Sequence, residues 1–258
     1  MKTRMLIILL AVMVPGSAGP VQAHFGMVIP SDTMIMAREN RTVHLTFSFS
    51  HPFEGHGMPL ARPRSAAVFF AGKRIELQDH LMPIRFMDHS AWALDYPIRR
   101  PGVYQFLMAP QPYWEPAEDL FIIHYTKTVI AAFGDEQNWD AETGMKAEIV
   151  PLTRPFGLYA GNVFRAIIKR DGRPVPHAMV EIEYYNQDGR AQASTGFMVT
   201  QTVKSDGNGI FCYAPPVSGW WGFAALGPAG FKLKHDGIDK EVELGAVIWV
   251  LFDDWETK

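Results

Sequence analysis

Histidine is the residue type with the most chemical promise in this chain. Seven of the nine histidines fall between His24 and His124, so ligand-type side chains concentrate in the first half. Two stretches bring imidazole and carboxylate together. "SHPFEGHGM" holds His51, Glu54 and His56 directly after an alternating run, and "PYWEPAEDLFIIHYTK" holds Glu115, Glu118 and Asp119 ahead of a strand-like segment containing His124. Nitrogen and oxygen donors without thiolate suit a borderline divalent ion such as nickel, cobalt, zinc or copper. His24 offers a donor of another kind. If the chain is cut after Ala23, residue 24 carries a free α-amine beside its imidazole. The amine and Nδ1 then close a six-membered chelate ring on one ion, and a second histidine completes a T of three nitrogens. The amine has an unperturbed pKa of about 7.7–8.0, so an ion must displace a proton to bind.

The cut is expected from "MKTRMLIILLAVMVPGSAGPVQA". Lys2 and Arg4 precede an apolar run from Met5 to Val14 and a small-residue tract from Pro15 to Ala23, the layout of a secretory signal peptide. Val21 and Ala23 fill the small positions of the cleavage site, with Ala18 as the weaker alternative. The apolar run of about ten residues is too short to span a bilayer. An exported protein is the expectation. Cleavage leaves 235 residues and moves the formal charge from −3 to −5. That acidic balance gives no electrostatic footprint for nucleic acid, which is excluded as a partner.

Other chemistries find little support. Cys212 is the single cysteine, so no intramolecular disulfide forms; within "GIFCYAP" it reads as a small buried side chain. The sequence contains no G-x-S-x-G, no P-loop or dinucleotide fingerprint and no H-E-x-x-H. A carboxylate pair for glycoside chemistry would meet only in space, and nothing specific points to one. The expectation is a protein that binds without catalysing. His44 reads as a hydrogen-bonded sheet residue, His80 and His89 as surface residues, and His177 and His235 as chemically silent.

The elements that must position these residues alternate with period two. In "TVHLTFSFS", Val43, Leu45, Phe47 and Phe49 share one face, and His44, Thr46, Ser48 and Ser50 the other. "AAVFFAG", "GVYQFLMAP" and "FIIHYTKTVIAAF" add strand candidates, separated by turn signals such as "RRPG" and "APQP". In the second half "NVFRAIIKRDGRPVPHAMVEIEYYN" is two alternating runs about a turn, while "GWWGFAALG" and "KEVELGAVIWVLF" look like closing strands. Trp220 and Trp221 read as core aromatics. The pattern predicts a mainly β chain of two β-sandwiches, Ig-like or transthyretin-like. After the signal peptide at 1–23, the expected domains are a metal-binding N-terminal sandwich over 24–155 and a C-terminal transthyretin-like or carboxypeptidase-regulatory-like sandwich over 156–258. The boundary lies in "VPLTRPFGLYAG", Val150 to Gly161.

Several long phrases, "HPFEGHGM", "YWEPAEDLFIIHYTK", "EIVPLTRPFGLYAGNVF", "VEIEYYN" and "GWWGFAAL", resemble the periplasmic component of nickel/cobalt (ABC-type cobalt) uptake systems. The resemblance runs from His24 to about Phe252. It implies a periplasmic protein that captures Ni(II) or Co(II) and delivers it to a membrane uptake transporter. The mature N-terminal histidine of that family matches His24, the histidine of "HPFEG" matches His51, and "YWEPAED…HYTK" supplies Glu115 and His124. His56 departs from the family pattern and stands as an extra ligand. Cu(II) would bind such donors more tightly by the Irving–Williams order. A copper-handling or oxidative histidine-brace protein is therefore one rival reading, and a metal-free structural or adhesive protein is another.

Overall fold

The computed structural model describes residues 23–256. The segment expected to be a signal peptide lies, over residues 1–22, outside the described residues. The mainly β architecture expected from the alternation is the one the chain adopts. From the N-terminus it forms β1 (Phe25–Pro30), β2 (Met34–Ile35), β3 (Thr42–His51), β4 (His56–Met58), β5 (Ser65–Phe70) and β6 (Lys73–Glu76). There follow β7 (Met82–Phe86), β8 (His89–Pro97), β9 (Gly102–Ala109), β10 (Tyr113–Glu115) and β11 (Leu120–Ala132). Next come β12 (Ala147–Pro151), β13 (Leu158–Tyr159), β14 (Phe164–Arg170), β15 (Arg173–Pro174) and β16 (Met179–Tyr184). The last four are β17 (Thr200–Lys204), β18 (Ile210–Tyr213), β19 (Gly219–His235) and β20 (Ile238–Asp253).

Three sheets result. One runs β1-β3-β8-β7, with β4 on β3; a small one runs β12-β14-β15, with β18 on β14. The large sheet runs β17-β16-β19-β20-β11-β9-β5-β6 and so draws strands from both halves of the chain. Its seam is β11 against β20, parallel, with Phe121–Thr128 facing Val242–Trp249. A parallel pair needs a long connection, and here everything from β12 to β19 supplies it. The "FIIHYTKTVIAAF" run carries β-branched and aromatic residues on both faces because both faces of β11 are covered.

Apolar burial falls into three main clusters. Val43, Leu45 and Phe47 of β3 pack with Val68, Phe106 and Met108 inside the first half. Ile149, Phe164, Ile182, Phe223 and Ile248 fill the second half. Between the halves, Phe25 and Met27 of β1 pack on Trp220, Val247 and Trp249, and the Trp249 indole N–H donates to the Gly26 carbonyl at 2.8 Å. This third cluster changes the reading of β3. His44 is exposed on the face assigned to it, where it pairs with Asp95 at 2.7 Å, but Ser48 and Ser50 on that face are buried. They lie opposite Met27 and Phe25, whose face is covered by β19 and β20. Trp220 and Trp221 are buried, as their core reading requires. Cys212 is a correction. It is exposed, because on β18 the alternation turns Phe211 into the core and Cys212 out to solvent.

A buried ion pair braces the seam. Lys127 of β11 has no exposed side-chain surface, and its Nζ donates to Glu148 at 2.8 Å; Glu148 also accepts from the backbone N–H and hydroxyl of Thr143. Burial pulls the Lys127 ammonium below its usual pKa, and Glu148 opposes that pull. Removing one partner strands a buried charge, so Lys127→Ala is expected to cost about 3–5 kcal/mol in urea unfolding. The double change Lys127→Met with Glu148→Gln keeps an acceptor for Thr143 and is expected to recover most of that loss.

Candidate functional site

Four of the five residues expected to bind metal converge where β1 meets β3, β10 and β11. The antiparallel register puts Phe25 opposite Ser50, so His24, one residue earlier, comes beside His51, one residue later. Their ring centroids are 4.6 Å apart. Phe49 lies against His24 on one side and His124 on the other, at 5.8 and 5.7 Å between centroids. β11 carries His124 into the same corner, where its Nδ1 accepts a long 3.4 Å bond from the Gly26 N–H. His56 lies one step outward, exposed on β4 directly across from His51, with centroids 6.1 Å apart. A small cavity of about 40 Å³, bounded in part by Gly26, Phe49, Tyr113 and His124, opens beside the cluster.

Two glycines make the corner possible. At Gly245 of β20 a Cβ would sit 2.4 Å from Cδ2 of His124, so the imidazole lies flat on bare backbone. At Gly26 a Cβ would meet the Thr126 hydroxyl at 2.3 Å and Cβ of His124 at 3.1 Å, so β1 rests on β11 only because residue 26 has no side chain. The sequence reading did not find these two roles. Their only signal was glycine inside strand patterns, which marks close backbone approach.

Protonation is set by few contacts. Glu115 is buried at the start of the β10–β11 loop, where Oε1 accepts from the Ala117 N–H at 2.9 Å and Oε2 stands 2.9 Å from Nε2 of His24. Burial pulls the His24 imidazole down to about 4; His51 nearby adds to the shift and Glu115 partly offsets it. A neutral ring facing a carboxylate holds its proton on Nε2, which leaves Nδ1 as the free lone pair. His51 Nδ1 stands 2.8 Å from the Ala23 carbonyl oxygen, an acceptor only, so that nitrogen donates. Nε2 of His124 is buried without a hydrogen-bond partner; its nearest carboxylate, Glu243, is 3.6 Å away. Among the described residues, no three His, Cys, Asp or Glu side chains stand together ready to hold a metal ion.

The loops that carry these residues are anchored by groups the sequence reading passed over. The "HPFEG" turn is held by Glu183 of β16, which accepts from the Phe53 N–H at 3.0 Å and from the Thr200 hydroxyl at 2.8 Å. Burial raises the Glu183 carboxyl to about 8. The "YWEPAED" loop is held by the tip of the β19–β20 hairpin. His235, read as silent, stacks on Trp114 at 3.9 Å, and Lys240 donates to Asp119 at 2.5 Å. His80 and His177 are exposed, whereas His89 is half-buried against His56 at 5.7 Å between centroids.

Fold and site together define a mainly β protein with a buried histidine–carboxylate corner near its N-terminus. Residues 21–229 match the family described as Domain of unknown function (DUF4198), and the chain belongs to that family. The match includes His24, His51, His56, Glu115 and His124. No curated protein matches the sequence. Solved structures that align with the chain include the D0-D1 domain of Intimin, at 11% identity over 87% of this chain and 99% of that one, with a TM-score of 0.23. The native conformation of E. coli alpha-2-macroglobulin aligns at 9% identity over 89% of this chain and 14% of that one, with a TM-score of 0.25. Titin Ig tandem domains A164-A165 align at 11% identity over 90% of this chain and all of that one (100%), with a TM-score of 0.22. Likenesses this distant carry no argument about activity.

The depressed pKa of His24 links the corner to stability. The unfolded chain takes up this proton near pH 6.5 and the folded chain only near 4, so the contribution is full above 6.5 and is lost as pH falls through that window. The loss is expected to be of order 2–3 kcal/mol. Urea unfolding at pH 7 and pH 4 measures it, and His24→Gln is expected to flatten that part of the dependence.

Proposed function

We propose that this protein is an exported carrier that captures Ni(II) or Co(II) at His24, His51 and His124 and delivers it to a membrane uptake system. The observation that carries this reading is the position of the Ala23 carbonyl. Its oxygen is 2.8 Å from Nδ1 of His51, and peptide geometry puts it about 2.2 Å from the His24 nitrogen. Cutting the chain after Ala23 removes that oxygen and turns the His24 nitrogen into an amine. The amine and His51 Nδ1 then face each other across the position that the oxygen held, and one ion there engages both. Ala23 is buried, so the cut must precede the docking of β1, as it does for a chain processed during export.

The other contacts favour the same arrangement. Glu115 holds the proton of His24 on Nε2, the tautomer whose Nδ1 chelates together with the amine. In this reading Glu115 orients His24 and does not ligate the ion. His124 turns Nδ1 towards β1, where its lone pair takes only a long 3.4 Å bond from the Gly26 N–H; giving up that weak bond would let the ring supply a third imidazole. The donor set is nitrogen with nearby carboxylate and no thiolate, which suits Ni(II) and Co(II); Cu(II) binds such donors more tightly, and metal supply then decides the cargo.

Protein whose first residue is His24 is expected to bind one Ni(II) tightly in isothermal titration and to release about one proton near pH 7, from the amine. The same protein with one residue added ahead of His24 keeps every side chain but is expected to lose that affinity. Unchanged affinity in the extended protein would show that the amine has no role. A Cu(II) site with redox turnover and no Ni(II) binding would point to copper, and no binding of either ion to a metal-free structural role.

Glu115 has its own test. Glu115→Ala is expected to lower Ni(II) affinity by about 10–100-fold, while Glu115→Gln, whose amide oxygen still accepts from Nε2–H, recovers part of it. Equal losses in the two variants would mean that the carboxylate is itself a ligand.

A further inference from the structure

We infer that His56 and His89 form a second, outer site for a borderline divalent transition-metal ion, from which the ion passes to the buried pair. The passing-on rests on the metal-carrier reading above, but the outer site does not. Four imidazoles make a continuous series from the interior to the surface. Ring centroids are 4.6 Å apart from His24 to His51, 6.1 Å from His51 to His56, and 5.7 Å from His56 to His89. His24 and His51 are at the buried end, His56 is exposed, and His89 is half-buried at the rim.

The outer pair has dimensions that suit one ion. Metal–nitrogen bonds of about 2.0–2.1 Å, with the ring centre about 1.1 Å beyond the nitrogen, put two imidazoles on a common ion with centroids about 5–6.4 Å apart, from tetrahedral to linear angles. The His56–His89 separation falls in that range. His51 lies 6.1 Å from His56 between centroids, and His56 is exposed, so a rotamer change, which takes picoseconds to nanoseconds, can carry an ion from the outer pair towards His51.

The β7–β8 turn brings His89 there. Met87 and Asp88 form the β7–β8 turn with φ of 46° and 62°, a left-handed pair without glycine. The turn sits on Gly57 of β4, where a Cβ would meet the Met87 carbonyl oxygen at 2.5 Å and Cδ2 of His89 at 3.2 Å. A tight turn on the bare backbone of Gly57 thus sets His89 beside His56.

Ni(II) titration of four proteins tests the inference: the chain starting at His24 and the chain extended by one residue, each with and without His56→Gln/His89→Gln. The extended protein is expected to keep one weaker equivalent that broadens the ring signals of His56 and His89 in NMR, and the double variant to lose it. In protein starting at His24 the double variant is expected to keep the tight site but load it about tenfold more slowly or worse. No Ni(II) on the extended protein, or an equivalent that survives the double variant, would overturn the outer site. Unchanged loading would overturn the passing-on alone. A weak equivalent that needs His56 and His89, in a protein with no tight site, would support the outer site while the carrier reading failed. Gln is polar and close to His in size, and the urea midpoint of the double variant checks that it folds.

Discussion

The histidine corner depends on the close approach of β1 to the seam between β11 and β20. The ring of His124 lies between the bare backbones of Gly26 and Gly245, and Trp249 ties the Gly26 carbonyl down from the far side. Because β1 rests on β11 there, His24 comes to the inner end of His51 and within reach of Glu115. A methyl group at Gly26 would lift β1 off β11, and one at Gly245 would push the His124 ring out of place. The position of every imidazole in the corner follows from that contact, and so does the burial that keeps His24 neutral.

Burial of this kind is expensive for polar rings, because each nitrogen taken from water needs a partner. The chain meets the demand unevenly. His24 has Glu115 and His51 has the Ala23 carbonyl, whereas His124 has a long bond on Nδ1 and on Nε2 only the Glu243 carboxylate 3.6 Å away. Glu183 from β16 and His235 and Lys240 from the β19–β20 hairpin fix the two loops that flank the corner. The second half of the chain therefore shapes a site whose named residues all lie in the first half.

Much of the fold was legible in the sequence because alternation is a local property. Val43, Leu45, Phe47 and Phe49 announce a strand and its inner face, and the doubly apolar "FIIHYTKTVIAAF" announces a central strand. The failures came where a distant segment covers a face. Nothing local told that Ser48 and Ser50, on the second face of β3, would be buried, because β19 and β20 lie over their side of the sheet. Cys212 failed in the opposite sense: its apolar neighbours suggested burial, but the register of β18 turns it outward.

For the site, the sequence by itself determined the kinds of donor and their grouping: His51 and His56 five residues apart about a turn, Glu115 and His124 on either side of another, and His24 behind a possible cleavage position. Those are matters of residue type and short-range spacing. Only the tertiary structure decided that four of them meet, that Glu115 faces Nε2 of His24, and that His89 joins His56 at the rim. The pairing partners lie up to about a hundred residues apart, and only strand register and the two glycine contacts bring them together. No local pattern records those distances, because they belong to the packing of whole sheets.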